Sequence, residues 1–206
     1  MTAKDTLERI SASGVVAIVR TTTTDEARAQ VGTLLEAGLP VVEVSLTTPG
    51  AVDVIAEYAG TADTVIGAGT VLDVQAARSV VDAGAQIIVS PDLNEDVVLF
   101  AADRDIASLP GCLTPTEMMR AMRAGASAVK IFPAHVWSPA ALSGMLQALP
   151  QLRCVPTGGV SPESAPTWIA SGAFAVGVGA ALTQVADPAA QATALQASIA
   201  RARGSR

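Results

Sequence analysis

The 206-residue chain holds only two lysines, Lys4 and Lys130, and a single histidine, His135. Lys130 sits inside an apolar run, AVKIF at 128–132. An ammonium ion is costly to take out of water. Burial therefore favours the neutral amine, which is the nucleophilic form. Such an amine condenses with a ketone to give an iminium ion, an electron sink through which a C–C bond can break. The plainer reading is a lysine that snorkels from a strand end to the surface. Alternation along a strand puts Lys130 opposite Val129 and Ile131. If those two pack on helices, the lysine faces the other side of the sheet.

Other polar residues interrupt apolar runs in the same way. Glu43 lies in VVEVSL at 41–46, where Glu43, Ser45 and then Thr47 share one face. A buried carboxylate there serves either as a general acid/base or as half of a structural Glu–Lys pair. Arg20 closes VVAIVR at 15–20. Its guanidinium suits a carboxylate or phosphate clamp, and equally a rim salt bridge. Thr157, Gly158 and Gly159 open TGGVSP, and Gly179 ends VGVG at 176–179. Glycines allow close backbone approach to an anion, and a helix following at Pro162 would add free N–H groups; tight-turn chemistry alone explains the same residues. Thr70 and Pro91 follow two further runs, Phe132 would wall the pocket, and Pro110–Gly111 reads as a turn. His135 and Cys112 read as structural. One histidine cannot supply a multi-histidine metal site, which counts against a metal-dependent aldolase, while a site made only of carboxylates and water stays open.

Chemistry of this kind needs elements to hold it. Half the residues are apolar but only 3% are aromatic, so the core is built from Ala, Val, Ile and Leu. That suits parallel strands covered by Ala-rich helices. Short apolar runs at 15–20, 41–46, 64–69, 86–90, 106–109, 128–132, 152–156 and 174–178 each precede an amphipathic stretch, and an extra helix at 5–11 precedes the first. The helices are expected at 24–37, 51–59, 74–83, 95–103, 115–124, 139–149, 162–171 and 188–203. Thr24, Asp73, Asn94, Thr114, Ser138 and Ser161 stand at helix starts, and Gly38, Gly84, Gly125 and Gly172 at helix ends. Eight strand–helix units predict a (β/α)₈ barrel, with an open doubly wound sheet as the competitor. No composition break divides residues 1–206, so one domain is expected. In a barrel the residues singled out above fall at the C-terminal strand ends, where active sites lie.

The net charge is −6 and the basic residues form no stripe, which argues against nucleic acid. No long uncharged apolar run suggests a membrane span, and the N-terminal segment lacks a signal-peptide core; the cytoplasm is the expected location.

Taken in order, the motifs VVAIVR (15–20), VEVSLT (42–47), GAGTVL (67–72), IVSP (88–91), LPG (109–111), TPTE (114–117), KIFPA (130–134), PTGGV (156–160) and VGVG (176–179) resemble the 2-keto-3-deoxy-6-phosphogluconate (KDPG) aldolases, which overlap with the 4-hydroxy-2-oxoglutarate aldolases. The resemblance spans about residues 12–183. It implies a metal-free, cofactor-free (β/α)₈ barrel, usually a homotrimer, acting on a 2-keto acid and releasing pyruvate. It places the Schiff-base lysine at Lys130 and the acid/base glutamate at Glu43. It places Thr70 on the pyruvate carboxylate, Pro91 and Phe132 in the pocket wall, and Thr157, Gly158 and Gly159 on the phosphate side. Two positions depart from the pattern. Thr47 stands where some members carry an arginine, and Arg20 then takes over anion binding in the mouth. Ala180 stands where related sequences place a serine that helps hold phosphate, leaving backbone N–H groups of Gly158, Gly159 and Gly179 for that task. An unphosphorylated 2-keto acid is the alternative substrate. A sugar-phosphate isomerase or epimerase, and a non-catalytic metabolite-binding barrel, are the competing functions.

Overall fold

The computed structural model describes residues 1–204, so the last two residues of the expected domain lie outside it. The apolar runs form short parallel strands: β1 (Val15–Val19), β2 (Val41–Ser45), β3 (Val65–Gly69), β4 (Ile87–Val89), β5 (Ala107–Leu109), β6 (Gly111–Cys112), β7 (Val129–Ile131), β8 (Cys154–Pro156) and β9 (Val176–Val178). Their order is β5-β4-β3-β2-β1-β9 in one sheet and β6-β7-β8 in the other. Two seams join these sheets. On one side the Ser127 and Ala128 N–H groups donate to Ser108 O at 3.1 and 3.3 Å, and Lys130 N–H donates to Pro110 O at 2.9 Å. On the other, Phe174 N–H donates to Cys154 O at 2.8 Å and Thr157 bridges Gly177. The result is the expected barrel.

One expectation is corrected at the fifth strand position. Pro110 and Gly111 do not turn the chain away. Pro110 lacks an N–H for the ladder and divides the strand into β5 and β6. Gly111 then re-enters the sheet, where a Cβ would lie 2.2 Å from the Pro91 carbonyl oxygen.

Helices alternate with the strands: α1 (Ala3–Ser13), α2 (Thr24–Glu36), α3 (Ala51–Tyr58), α4 (Val74–Asp82), α5 (Glu95–Ala102), α6 (Pro115–Arg123), α7 (Pro139–Ala148), α8 (Ala165–Ala170), α9 (Ala180–Thr183) and α10 (Pro188–Gly204). Asp73, Asn94, Thr114 and Ser138 cap their helices through side-chain oxygens, as expected. Gly38, Gly84, Gly125 and Gly172 adopt positive φ just past helix ends, the conformation that stops a helix. Three details differ. The α2 cap is Thr23, one residue before Thr24. Residues 161–164 form a turn closed by reciprocal Ser161–Ser164 hydrogen bonds, so α8 starts at Ala165 and not at Pro162. The short helix α9 was not foreshadowed at all.

The apolar side chains divide into two concentric cores. Val15, Ala17, Val19, Val42, Val44, Ile66, Ala68, Val129 and Ile131 face outward into the layer beneath the helices. Val16, Val41, Val65, Ile87, Ala107, Leu109, Ala128, Val155 and Ala175 fill the lower barrel interior, together with Ile10 of α1. Helix α1 packs on β1, β2 and β5 and so stoppers the floor. Because Val129 and Ile131 belong to the outer core, the residue between them points inward.

Candidate active site

Above that floor the inward positions change character. Ile18, Glu43, Lys130, Thr157, Gly177 and Gly179 surround a cavity of about 420 Å³, bordered by Arg20, Phe132, Gly158, Gly159 and Ala180. Eight of the ten residues singled out in sequence therefore meet at the C-terminal ends of the strands, with Lys130 and Glu43 on the same cavity.

Lys130 is 6% exposed, which excludes the snorkelling alternative. Its Nζ lies 4.9 Å from the centroid of the Phe132 ring, two residues along the same face. Both neighbouring strands pin its backbone: Lys130 is in register with Gly111 on β6 and Val155 on β8.

Glu43 is 2% exposed. Burial pushes its carboxyl above the ordinary carboxylate range, while the positive charges of Lys130 and Arg20 pull it back down. Its carboxylate lies directly over the Cα of Gly69, where a Cβ would come within 1.7 Å of Oε1. Gly69 is thus a seat for the carboxylate, a role that pattern reading did not assign. Among the described residues, the ion pairs within 4.0 Å join other partners, all on the surface. Glu43 and Lys130 are not closed into a structural salt bridge, so the space between them is open to a ligand. Arg20 is exposed just past β1 and takes part in none of those bridges, which removes the rim salt-bridge reading.

The glycine loop is fastened from below. Ala134 N–H donates to Thr157 O at 2.7 Å, and His135 N–H donates to Gly158 O at 3.0 Å. Both donors belong to a 3₁₀ turn, Ala134–Val136. Gly158 and Gly159 have φ of 82° and 89°, and a Cβ on Gly159 would lie 2.8 Å from the His135 Cβ. The histidine's backbone and the base of its side chain shape the loop, in keeping with its structural reading. Thr157 is buried, and its hydroxyl donates to Val155 O at 3.1 Å. Burial pushes the Cys112 and Cys154 thiols up to about 12, which leaves both as packing groups.

Thr70 and Pro91 stand apart from the cavity lining, at the ends of β3 and β4. Thr70 has φ 62°, and its hydroxyl lies 2.9 Å from that of Ser45. Ser161, read in sequence only as a helix start, also lines the cavity, as do Ala181, Thr183 and Gln184, which were not singled out. Ile18 was legible by alternation with Val16 and Arg20. The others come from the turn and short helix that local patterns did not reveal. Among the described residues, no three His, Cys, Asp or Glu side chains gather as a metal-ligating group.

A parallel barrel with a buried amine and a buried carboxylate sharing one cavity at the strand ends defines a class of barrel enzyme built for carbonyl substrates. Residues 7–195 match the family model described as KDPG and KHG aldolase, and the chain belongs to that family of carbon–carbon lyases. It is 35% identical over 187 residues to the 2-dehydro-3-deoxy-6-phosphogalactonate aldolase of Escherichia coli (strain K12), covering 89% of this chain and 90% of that protein. It is also 35% identical over 170 residues to the KHG/KDPG aldolase of the same strain, covering 81% of this chain and 80% of the other. A solved structure, the 2-keto-3-deoxy-6-phosphogluconate aldolase from Zymomonas mobilis ATCC 29191, superposes with a TM-score of 0.81 at 32% identity, covering 94% of this chain and 96% of that one.

Proposed function

We propose that the chain is a class I aldolase that cleaves a 2-keto-3-deoxy-6-phospho sugar acid through a Schiff base on Lys130. The observation that carries this reading is the placement of Lys130: buried, inward-facing, unpaired with Glu43 and open to the cavity. The Lys130 amine attacks the C2 ketone, and loss of water gives the iminium ion. Glu43, through a water, takes the proton of the C4 hydroxyl. The C3–C4 bond breaks, its electrons pass to the iminium, and the enamine of pyruvate remains. Glu43 then returns a proton to C3, and hydrolysis frees pyruvate and Lys130. A carboxyl held above its ordinary range by burial suits a group that must both accept and return a proton.

The other product is glyceraldehyde 3-phosphate. Arg20 at the mouth supplies the cation that binds an anionic group of the substrate, and the backbone N–H groups of Gly158, Gly159 and Gly179 cradle the phosphate. Thr70 meets the carboxylate of the keto acid, while Pro91 and Phe132 wall its methylene side. The likeness to the KHG/KDPG aldolase supports a second substrate, 4-hydroxy-2-oxoglutarate, which would yield glyoxylate in place of the phosphorylated aldehyde. The same reading places the enzyme in the cytoplasm, in Entner–Doudoroff-type sugar-acid breakdown, as a homotrimer. Leu72, Leu113 and Val136 support association, being exposed large apolar residues on the segments that follow β3, β6 and β7.

The test is incubation with pyruvate and borohydride, followed by intact mass and peptide mapping. A reduced pyruvyl adduct on Lys130 is expected. Folded protein that forms no adduct would return the isomerase or binding-barrel reading.

A further inference from the structure

Ser45 is fully buried, two residues beyond Glu43 on the same inward face of β2. Its hydroxyl lies 2.9 Å from the Thr47 hydroxyl and 2.9 Å from the Thr70 hydroxyl. Thr47 is exposed and borders a rim cleft with Arg20, so the chain of three hydroxyls runs from solvent through the buried Ser45 to the half-buried Thr70. Its Thr70 end is held in an unusual way. Thr70 adopts φ 62°, a left-handed conformation that β-branched residues rarely take. Strain of this kind persists only where the surroundings fix it, and it collects at functional positions.

We infer that Ser45 is a positioning residue that aims the Thr70 hydroxyl at the carboxylate of a bound 2-keto acid. The inference rests on the aldolase reading for the placement of that carboxylate. Each hydroxyl has one proton to give. If Thr70 donates to Ser45, it has none left for an anion. If Ser45 donates to Thr70, the Thr70 proton is free. A carboxylate beside Thr70 selects the second arrangement, in which Thr47 donates to Ser45, Ser45 to Thr70, and Thr70 to the ligand. Three aligned hydroxyls polarise one another in that direction. Water in the rim cleft can donate to Thr47 and complete the chain. Removing Ser45 leaves Thr70 without the donor that directs it.

The measurement is the pyruvate concentration dependence of borohydride trapping, together with KM and kcat for cleavage of a 2-keto-3-deoxy-6-phospho sugar acid. Ser45→Ala is expected to raise the pyruvate half-saturation and KM about tenfold while kcat stays within about twofold. The adduct should remain on Lys130. In a Thr70→Val background the same Ser45→Ala change is expected to add nothing, which a general packing loss would not reproduce. Thr47→Val, at an exposed position, keeps the idea testable if Ser45→Ala does not fold; it should raise half-saturation about threefold. Unchanged half-saturation in a folded Ser45→Ala or in Thr47→Val, or an equal loss with and without Thr70, overturns the role of Ser45. Wild-type protein that forms no adduct overturns the aldolase reading instead, so the two failures are distinct.

Discussion

The floor and the mouth of this barrel are made by the same strands, yet they obey opposite rules. At the floor, the inward positions carry Val16, Val41, Val65, Ile87 and Leu109, closed off by Ile10. At the mouth, the next inward positions carry Gly69, Gly177 and Gly179 beside Glu43 and Lys130. The floor gains from filling space, because close-packed apolar groups stabilise and cavities cost. The mouth gains from emptiness, because each missing side chain makes room for a charged group or a ligand. It holds a buried carboxylate that burial disfavours. Stability and chemistry are thus separated along the barrel axis.

The sharpest way to break this division is Lys130→Ala. Turnover is expected to fall by about 10³-fold or more, with the melting temperature little changed. A variant that retained most of its activity would remove Lys130 from the mechanism. At the floor, Ile10→Ala should do the converse. It should cost about 2–5 kcal/mol of stability by opening a void, with KM and kcat near wild type below the melting transition. A loss of activity without a loss of stability would mean that the two ends are coupled.

Gly69→Ala sharpens the contrast within the mouth itself. The new methyl would meet the end of the Glu43 side chain, which can move, and the Gly69 backbone needs no left-handed φ. Activity should fall about 10- to 100-fold through a displaced carboxylate, with little loss of fold. Gly67→Ala would instead strike the Ile87 carbonyl oxygen at 2.4 Å, so its cost should appear as lost stability. Comparing kcat and melting curves for the two variants checks both expectations.

The smallest effect concerns pH. The folded carboxyl of Glu43 is raised, so the native state holds that proton more tightly than the unfolded chain does. Its favourable contribution is present below the ordinary carboxylate range and is lost as pH rises through the folded value. Glu43→Gln should therefore melt about 2–4 °C higher than wild type at neutral pH, for a difference near 1 kcal/mol. The gap should close as the pH falls toward 4, and turnover should drop at every pH. Parallel melting curves across that range would show that the buried carboxylate carries no such cost.

Much of this arrangement was legible in the sequence because strand alternation has a strict period of two. That period places Lys130 and Glu43 inward once Val129, Ile131, Val42 and Val44 are assigned to the outer layer. The caps at Asp73, Asn94, Thr114 and Ser138 were legible because each is a short-range hydrogen bond. Other features depend on contacts between distant segments. The close approach of Gly111 to Pro91, the seating of Glu43 on Gly69, and the contact of Ser45 with Thr70 leave no local pattern. Helix α9 is one turn long and offers too few residues for any periodicity to show. The turn at Ser161–Ser164 competed with a helix start at Pro162, and paired serine hydrogen bonds decided the outcome.

One tie at the barrel floor reaches beyond stability. Arg203, near the end of α10, donates from Nη1 to Ala12 O of α1 at 2.8 Å, and its side chain packs over Gly14. The C-terminal end of α1 and the last turns of α10 are therefore tied together on the floor side of the barrel. The helix that seals the floor is thus latched from 191 positions further along the sequence, so this tie can form only once nearly all of the described residues have been synthesised.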